Sequence, residues 1–202
     1  MITPELNKYK NIIFLDIDGV MVNYDSMILP EMDDNYHQFH PTCVDNLNRI
    51  IEETNTEIVI SSSWRNALGS DEANLKWIRD IFIKRGFKYP ENIIGQTIRA
   101  YKYVQKGIHL SIPRGVEIKQ WLDINVVYPW IGNPERDEEF KTYRDDGSFK
   151  SMRHNIKNID FKFAIIDDDA DFLLEHKNDF FQTYNETGLT EEIAEKIINK
   201  FK

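Results

Sequence analysis

Features that would mark a secreted or membrane-bound chain are scarce in this sequence. Its 202 residues include one cysteine, Cys43, so no disulfide can form within the chain and a reducing cytoplasm is the expected location. With no partner base in sight, Cys43 reads as a small hydrophobe on a helix and not as a catalytic thiol. No apolar run approaches the roughly 18–20 residues that a membrane span needs. The basic-then-apolar pattern of a secretory leader is missing as well. Positive charge is short: 25 Lys and Arg stand against 34 Asp and Glu, for a net charge of −9. That excludes a global pull toward nucleic acid while leaving room for a local basic patch. His37, His40, His109, His154 and His176 show no metal-ligand spacing and read as surface or packing residues. Repeats and low-complexity tracts are absent.

What is present suits one domain over residues 1–202, long enough to bury one core. Ile12–Leu15, Glu57–Ile60 and Phe163–Ile166 are short, nearly continuous apolar runs, the pattern of strands buried on both faces. Ile93-Ile94 and Phe180–Thr183 predict two lesser strands. Helical spacing marks a helix opened by Pro41 and another over Ala73–Arg85 closed by Gly86. Two more follow at Gly115–Leu122 and at Glu191–Phe201, the last capped by Thr190. Asp146-Gly147 predicts a hairpin turn. Residues 23–40 read as a short flap, and residues 128–160 as an insertion whose role and bearing on oligomeric state stay open. Strands alternating with helices predict an α/β fold, a Rossmann-like parallel sheet with helices on both faces. Ligands in such sheets gather at the carboxyl ends of the strands.

The three apolar strands end in Asp16-Ile17-Asp18-Gly19, in Ser61-Ser62-Ser63-Trp64-Arg65 and in Asp167-Asp168-Asp169. A calcium loop does not account for the acids. Around Asp16 the glycine comes too early. From Asp167, Phe172 stands where glycine is required and Asn178 where glutamate is required. A receiver domain has an acidic pair ending its first strand, but too little chain follows Asp169 to supply the strands that come after it.

The reverse order of parts has a counterpart. "FLDIDGV", then "IVISSSWR", then "RGVEIKQWL", then "FAIIDDDADF" resembles the four motifs of the haloacid dehalogenase-like (HAD) phosphatases across most of the chain. The Ser-Ser-Trp-Arg and Arg-Gly-x-Glu-Ile-x-x-Trp-Leu details, with "TYNETGLT" near the end, are most similar to the HAD domain of "Swiss Army Knife" RNA-repair proteins. The resemblance implies a HAD-like fold without a full cap domain and a phosphomonoester hydrolase working through an aspartyl-phosphate. Asp16 would be the nucleophile, and Asp18 the group that protonates the leaving oxygen and then activates water. Mg²⁺ would be held by Asp16, the main-chain carbonyl of Asp18, and Asp168 or Asp167, with Asp168 favoured as the direct ligand and Asp167 and Asp171 orienting it. Ser61 would donate to a phosphoryl oxygen, with Ser62 as the alternative one residue on. The third motif usually carries lysine. Here Arg114 holds the helix-start position, with Lys119 a turn further, and arginine can neutralise a phosphoryl group in bidentate fashion. Arg65 and Trp64 would line the site, or else form a surface ion pair and a core aromatic.

One last absence bears on the substrate. Residues 92–116 contain no Asp or Glu, yet hold Arg99, Lys102, Lys106 and Arg114 interleaved with Tyr101 and Tyr103. Cations that track a backbone, with aromatics for stacking, suit a single-stranded nucleic acid, while a solvated loop face is the other reading of the same residues. The expected substrate is therefore a nucleic-acid-end or nucleotide phosphate. A phosphorylated metabolite or phosphoprotein is the enzymatic alternative, and a non-catalytic phosphate- or nucleic-acid-binding module is the third. The presence of both Asp16 and Asp18 argues against that module, since a pure binder needs no acid–base group.

Overall fold

The structure is a computed structural model that describes residues 11–29, 39–105, 108–127, 141–143, 149–152 and 161–202. The elements run β1 (Asn11–Leu15), α1 (Pro41–Thr54), β2 (Glu57–Ile60), α2 (Asp71–Lys84), β3 (Ile93–Gln96), β4 (Tyr101–Gln105) and β5 (Ile108–Ser111). They continue with α3 (Arg114–Leu122), β6 (Lys141–Tyr143), β7 (Phe149–Met152), β8 (Lys162–Asp167), β9 (Phe180–Gln182) and α4 (Glu191–Phe201). Five strands form one sheet in the order β3-β2-β1-β8-β9, and every pairing in it is parallel. The three strands read as apolar runs are its centre. This is the Rossmann-like α/β architecture expected from the alternation of elements.

Continuous apolar strands need cover on both faces, because successive side chains point opposite ways. Ile13, Leu15, Ile58, Ile60, Ala164 and Ile166 face a core built with α1, α2 and α4, whose contributors include Leu47, Ile78, Phe82 and Ile197. Ile12, Phe14, Val59 and Ile165 face the other way, against Ile118 of α3 and an aromatic shell that includes Trp121, Phe163 and Phe172. Cys43 is buried in the first core, as expected of a small hydrophobe. Among the described residues no helix is long and apolar enough to cross a membrane.

Two local differences from the sequence-based expectation have clear causes. Helix α2 begins at Asp71, earlier than Ala73, because the Ser70 hydroxyl accepts the Ala73 N–H at 3.2 Å. Asp71 and Glu72 then occupy the first turn, where the helix dipole favours negative charge. The acid-free stretch, in which no strand was expected after Ile94, folds in part as an antiparallel hairpin. Tyr101 pairs with Ser111, Lys102 with Leu110 and Tyr103 with His109. The hairpin expected around Asp146-Gly147 has its counterpart in β6 and β7, paired antiparallel from Lys141 with Met152 to Tyr143 with Phe149. Residues 144–148 between them, most of the 128–160 insertion and residues 30–38 of the flap lie outside the described residues. The rest of the flap includes one turn of 3-10 helix, Asp25–Ile28.

Candidate active site

In the register of the central strands Leu15 stands opposite Ile60 and Ile166. The next residues therefore stand side by side: Asp16 and Ser61 just past β1 and β2, and Asp167 as the last residue of β8. The ladder continues one step into the site: the Asp16 N–H donates to the Ile166 carbonyl at 3.0 Å, and the Ser61 N–H to the Leu15 carbonyl at 2.8 Å. Strand geometry alone thus concentrates the polar ends of three apolar strands.

Asp16 is 5% exposed. Its Oδ1 accepts the Ile17 N–H at 2.7 Å, and its Oδ2 meets the Arg114 guanidinium Nη1 at 2.7 Å. The same Nη1 lies 2.9 Å from Oδ2 of Asp167 and donates to the Ser61 carbonyl. Arg114 thus ties the ends of β1, β2 and β8 together. Its own position is set from beyond β8: the Arg114 N–H donates to Oδ2 of Asp171 at 2.9 Å. Gly115 makes that approach possible, since a Cβ there would fall 2.6 Å from the Leu173 nitrogen. Asp171, expected to orient Asp168 together with Asp167, anchors the start of α3. Lys119 faces elsewhere, with its ammonium 3.4 Å from Asp123 and 3.7 Å from Glu175.

The serines divide their work. The Ser62 hydroxyl lies close enough to Asp16 to lower its pKa and accepts the Trp64 N–H at 3.4 Å. The Ser61 hydroxyl accepts from Thr97 at 3.5 Å. Of the two candidates for the second-motif hydroxyl, the structure sets Ser62 beside Asp16. Asp18 is exposed and accepts at both oxygens from the Trp64 indole N–H, at 3.2 and 3.1 Å, and from the Ser63 hydroxyl at 3.4 Å. Trp64 is therefore both of the things it was expected to choose between: its ring packs at a tilt on Phe39 and Trp77 against the core while its N–H edge faces an acid.

Arg65 does not line an open cleft. It is 4% exposed and ion-paired with the equally buried Glu117 of α3, whose Oε1 also accepts the Ala100 N–H at 2.6 Å. Burial lowers the Arg65 pKa, with the Glu117 charge opposing. Arg99, in the acid-free stretch, lies near enough to Arg65 to act on it electrostatically. The Lys102 side chain and all of Lys106 lie outside the described residues.

At the β8 end, Asp167 is 1% exposed and its Oδ1 accepts the Asp169 N–H at 2.9 Å. Asp168 is half-buried and its Oδ2 accepts from the Asn185 side-chain amide at 2.9 Å. Asn185 and Glu117 had no role assigned from sequence, although both sit in stretches that carry the family resemblance. The signal was present as motif membership and lacked a geometry to attach it to.

Asp16, Asp167 and Asp168 each present a carboxylate oxygen, all within 4.8 Å of one another. Burial raises the Asp16 pKa, against the pull of Arg114, Ser62 and the Ile17 N–H. Burial, and then the Asp16 charge, push Asp167 up to about 8, with Arg114 opposing. One guanidinium is shared by two carboxyl groups with a third alongside, so in their ionised forms they outnumber the positive charge among them. An all-oxygen donor set of that charge fits a hard dication such as Mg²⁺. Gly19 keeps the space open: at φ +71°, a Cβ there would stand 2.4 Å from Cγ of Asp168.

Searches of curated proteins and of solved structures each return no match to the chain. Residues 12–132 match the family described as the HAD domain in Swiss Army Knife RNA repair proteins. The match takes in the Asp16, Ser62 and Arg114 positions and covers more than half of the chain, which therefore belongs to that family of HAD domains.

Proposed function

We propose that the protein is a Mg²⁺-dependent phosphomonoester hydrolase that forms an aspartyl-phosphate on Asp16 and acts on a nucleic-acid-end or nucleotide phosphate. The observation that carries this reading is the surroundings of Asp16. A buried carboxylate is flanked by a hydroxyl (Ser62) and a guanidinium (Arg114), with two further carboxylates and an exposed Asp18 two residues on. A structural ion pair would need neither the extra acids nor the exposed one.

In the first half-reaction an Asp16 carboxylate oxygen attacks phosphorus, the bond from phosphorus to the leaving oxygen breaks, and Asp18 gives that oxygen its proton. In the second, Asp18 takes a proton from water, the water oxygen attacks phosphorus, and the bond to Asp16 breaks. Inorganic phosphate leaves with both aspartates restored. Splitting the displacement this way replaces one difficult step with two easier ones. Ser62 donates to a phosphoryl oxygen, and Arg114 holds Asp16 in place while offsetting charge on the phosphoryl group. Asp16, Asp168 and the Asp18 carbonyl would hold Mg²⁺, with Asp167 beside them; when bound, the ion offsets the repulsion between an anionic nucleophile and an anionic substrate.

The nucleic-acid part of the reading is supported by the family description, which names RNA repair proteins, and by the acid-free stretch. That stretch leads from the end of β3, beside the site, through the β4–β5 hairpin to Arg114. Arg99, Lys102 and Lys106 would hold a strand by its phosphates. Replacing all three with neutral residues should raise KM for an oligonucleotide end and flatten its salt dependence, while leaving a small reporter phosphate nearly untouched. Equal effects on both would leave a metabolite or phosphoprotein phosphatase. The primary test is a phosphatase panel with and without Mg²⁺, on wild type and Asp16→Asn. Turnover that survives either the substitution or EDTA would refute the mechanism.

A further inference from the structure

Three consecutive residues after β2 address the two acids beyond the end of β1. Ser62 serves Asp16, while Ser63 and Trp64 serve Asp18. We propose that Trp64 is a positioning residue for proton transfer, holding the Asp18 carboxyl through its indole N–H so that the proton is delivered to the leaving oxygen. This rests on the phosphatase reading and adds a residue to it.

Three observations support the assignment. Asp18 is exposed, and an exposed carboxylate without tethers samples several rotamers, so its orientation has to come from a partner. The indole supplies one, lying 3.2 and 3.1 Å from the two carboxylate oxygens, closer than the 3.4 Å of Ser63. The indole is itself held: Phe39 and Trp77 pack against it in tilted contacts at centroid distances of 5.9 and 5.8 Å. An indole N–H only donates. It therefore holds the carboxyl without competing for the proton that Asp18 must give in one half-reaction and take back in the other. A histidine in its place could accept as well as donate and would offer that proton a second site.

The test compares kcat/KM for two substrates, because kcat/KM reports events only up to the first phosphoryl transfer. An alkyl phosphate needs its leaving oxygen protonated, whereas a nitrophenyl phosphate does not. Trp64→Phe keeps a ring against Phe39 and Trp77 and removes the N–H. It should lower kcat/KM for the alkyl phosphate by about 10-fold, the order set by one hydrogen bond to a charged group, and change that for nitrophenyl phosphate by less than about 2-fold. Simple loss of packing would lower both together. Should Trp64→Phe fold poorly by thermal melting, Ser63→Ala on the exposed side provides the second variant, with the same leaving-group bias at roughly 3-fold. Turnover by wild type with both substrates falling equally in the variants, or with neither changing, overturns the role of Trp64 alone. Absence of wild-type turnover on both substrates with Mg²⁺ present overturns the phosphatase reading and this role with it.

Discussion

The ends of β1 and β8 begin alike and diverge within two residues. Both strands are apolar, parallel and in register, both deliver a buried aspartate at the carboxyl end, and both aspartates meet the same Arg114 nitrogen. After Asp16 the chain turns sharply through Gly19, Asp18 bridges to Val22, and the second acid emerges into solvent against Trp64. After Asp167 the second acid stays half-buried and is fastened by Asn185, while the Gln182 side chain donates to its carbonyl at 3.2 Å. The surroundings of a strand-end aspartate are thus set by the residues just beyond it: on one side a solvent-facing acid two residues on, on the other a half-buried acid fastened by a side-chain amide.

The comparison breaks most sharply with one substitution on each side. Asp16→Asn should abolish turnover, whereas Asp167→Asn should leave measurable turnover that requires more Mg²⁺, as read by initial rates over a Mg²⁺ titration. Equal loss in the two variants would mean that the two aspartates share one role. Next in size, Asp18→Asn should slow an alkyl phosphate by about 10²–10⁴, the usual share of a general acid, with the fold intact by circular dichroism. Partial recovery on nitrophenyl phosphate would sharpen the assignment.

On the β8 side, Asn185→Ala removes the amide that fastens Asp168 and nothing that touches Asp16. Partners of this kind typically cost 10–100-fold in metal affinity, so the Mg²⁺ concentration for half-maximal rate should rise by about that factor with the saturated rate little changed. Calorimetric titration of Mg²⁺ gives the same quantity without turnover.

The smallest effect concerns His176, in the β8–β9 connection. It is buried edge-on against Phe163, and burial lowers its pKa, against Glu175 and Asp179 and together with Lys119. A folded-state pKa below the ordinary 6.5 means that, as pH falls past that value, the unfolded chain takes up a proton that the folded one refuses. Stability contributed by the neutral ring is complete above the unfolded pKa and declines toward the folded one. Chemical denaturation of wild type and His176→Gln between about pH 7.5 and 5 should show the steeper loss in wild type. Parallel curves would dismiss the histidine.

Much of the frame was legible because it obeys local rules. Ile12–Leu15, Glu57–Ile60 and Phe163–Ile166 are nearly continuous apolar runs, and such runs are stable only inside a sheet covered on both faces. Polar residues at their carboxyl ends then had to converge, since parallel strands in register bring their ends together. The β4–β5 hairpin was also within reach: Tyr101-Lys102-Tyr103 and Ile108-His109-Leu110 alternate around Lys106-Gly107, a two-residue connection with glycine.

Other features depend on distances that no local rule contains. Ser61 and Ser62 are equivalent as letters, and which hydroxyl meets Asp16 depends on where β2 ends relative to β1. Arg65 looked like a cation for phosphate, yet α3 brings Glu117 to it, and two charges that leave water together need each other. Asn185 and Trp64 reach their aspartates across 17 and 46 positions of sequence. The sequence by itself determined a parallel sheet with acids and hydroxyls at its strand ends, because strand burial and side-chain alternation are set by neighbouring residues. Only the tertiary structure decided which of those groups meet, because a hydrogen bond depends on ångström-scale placement that sequence separation does not encode.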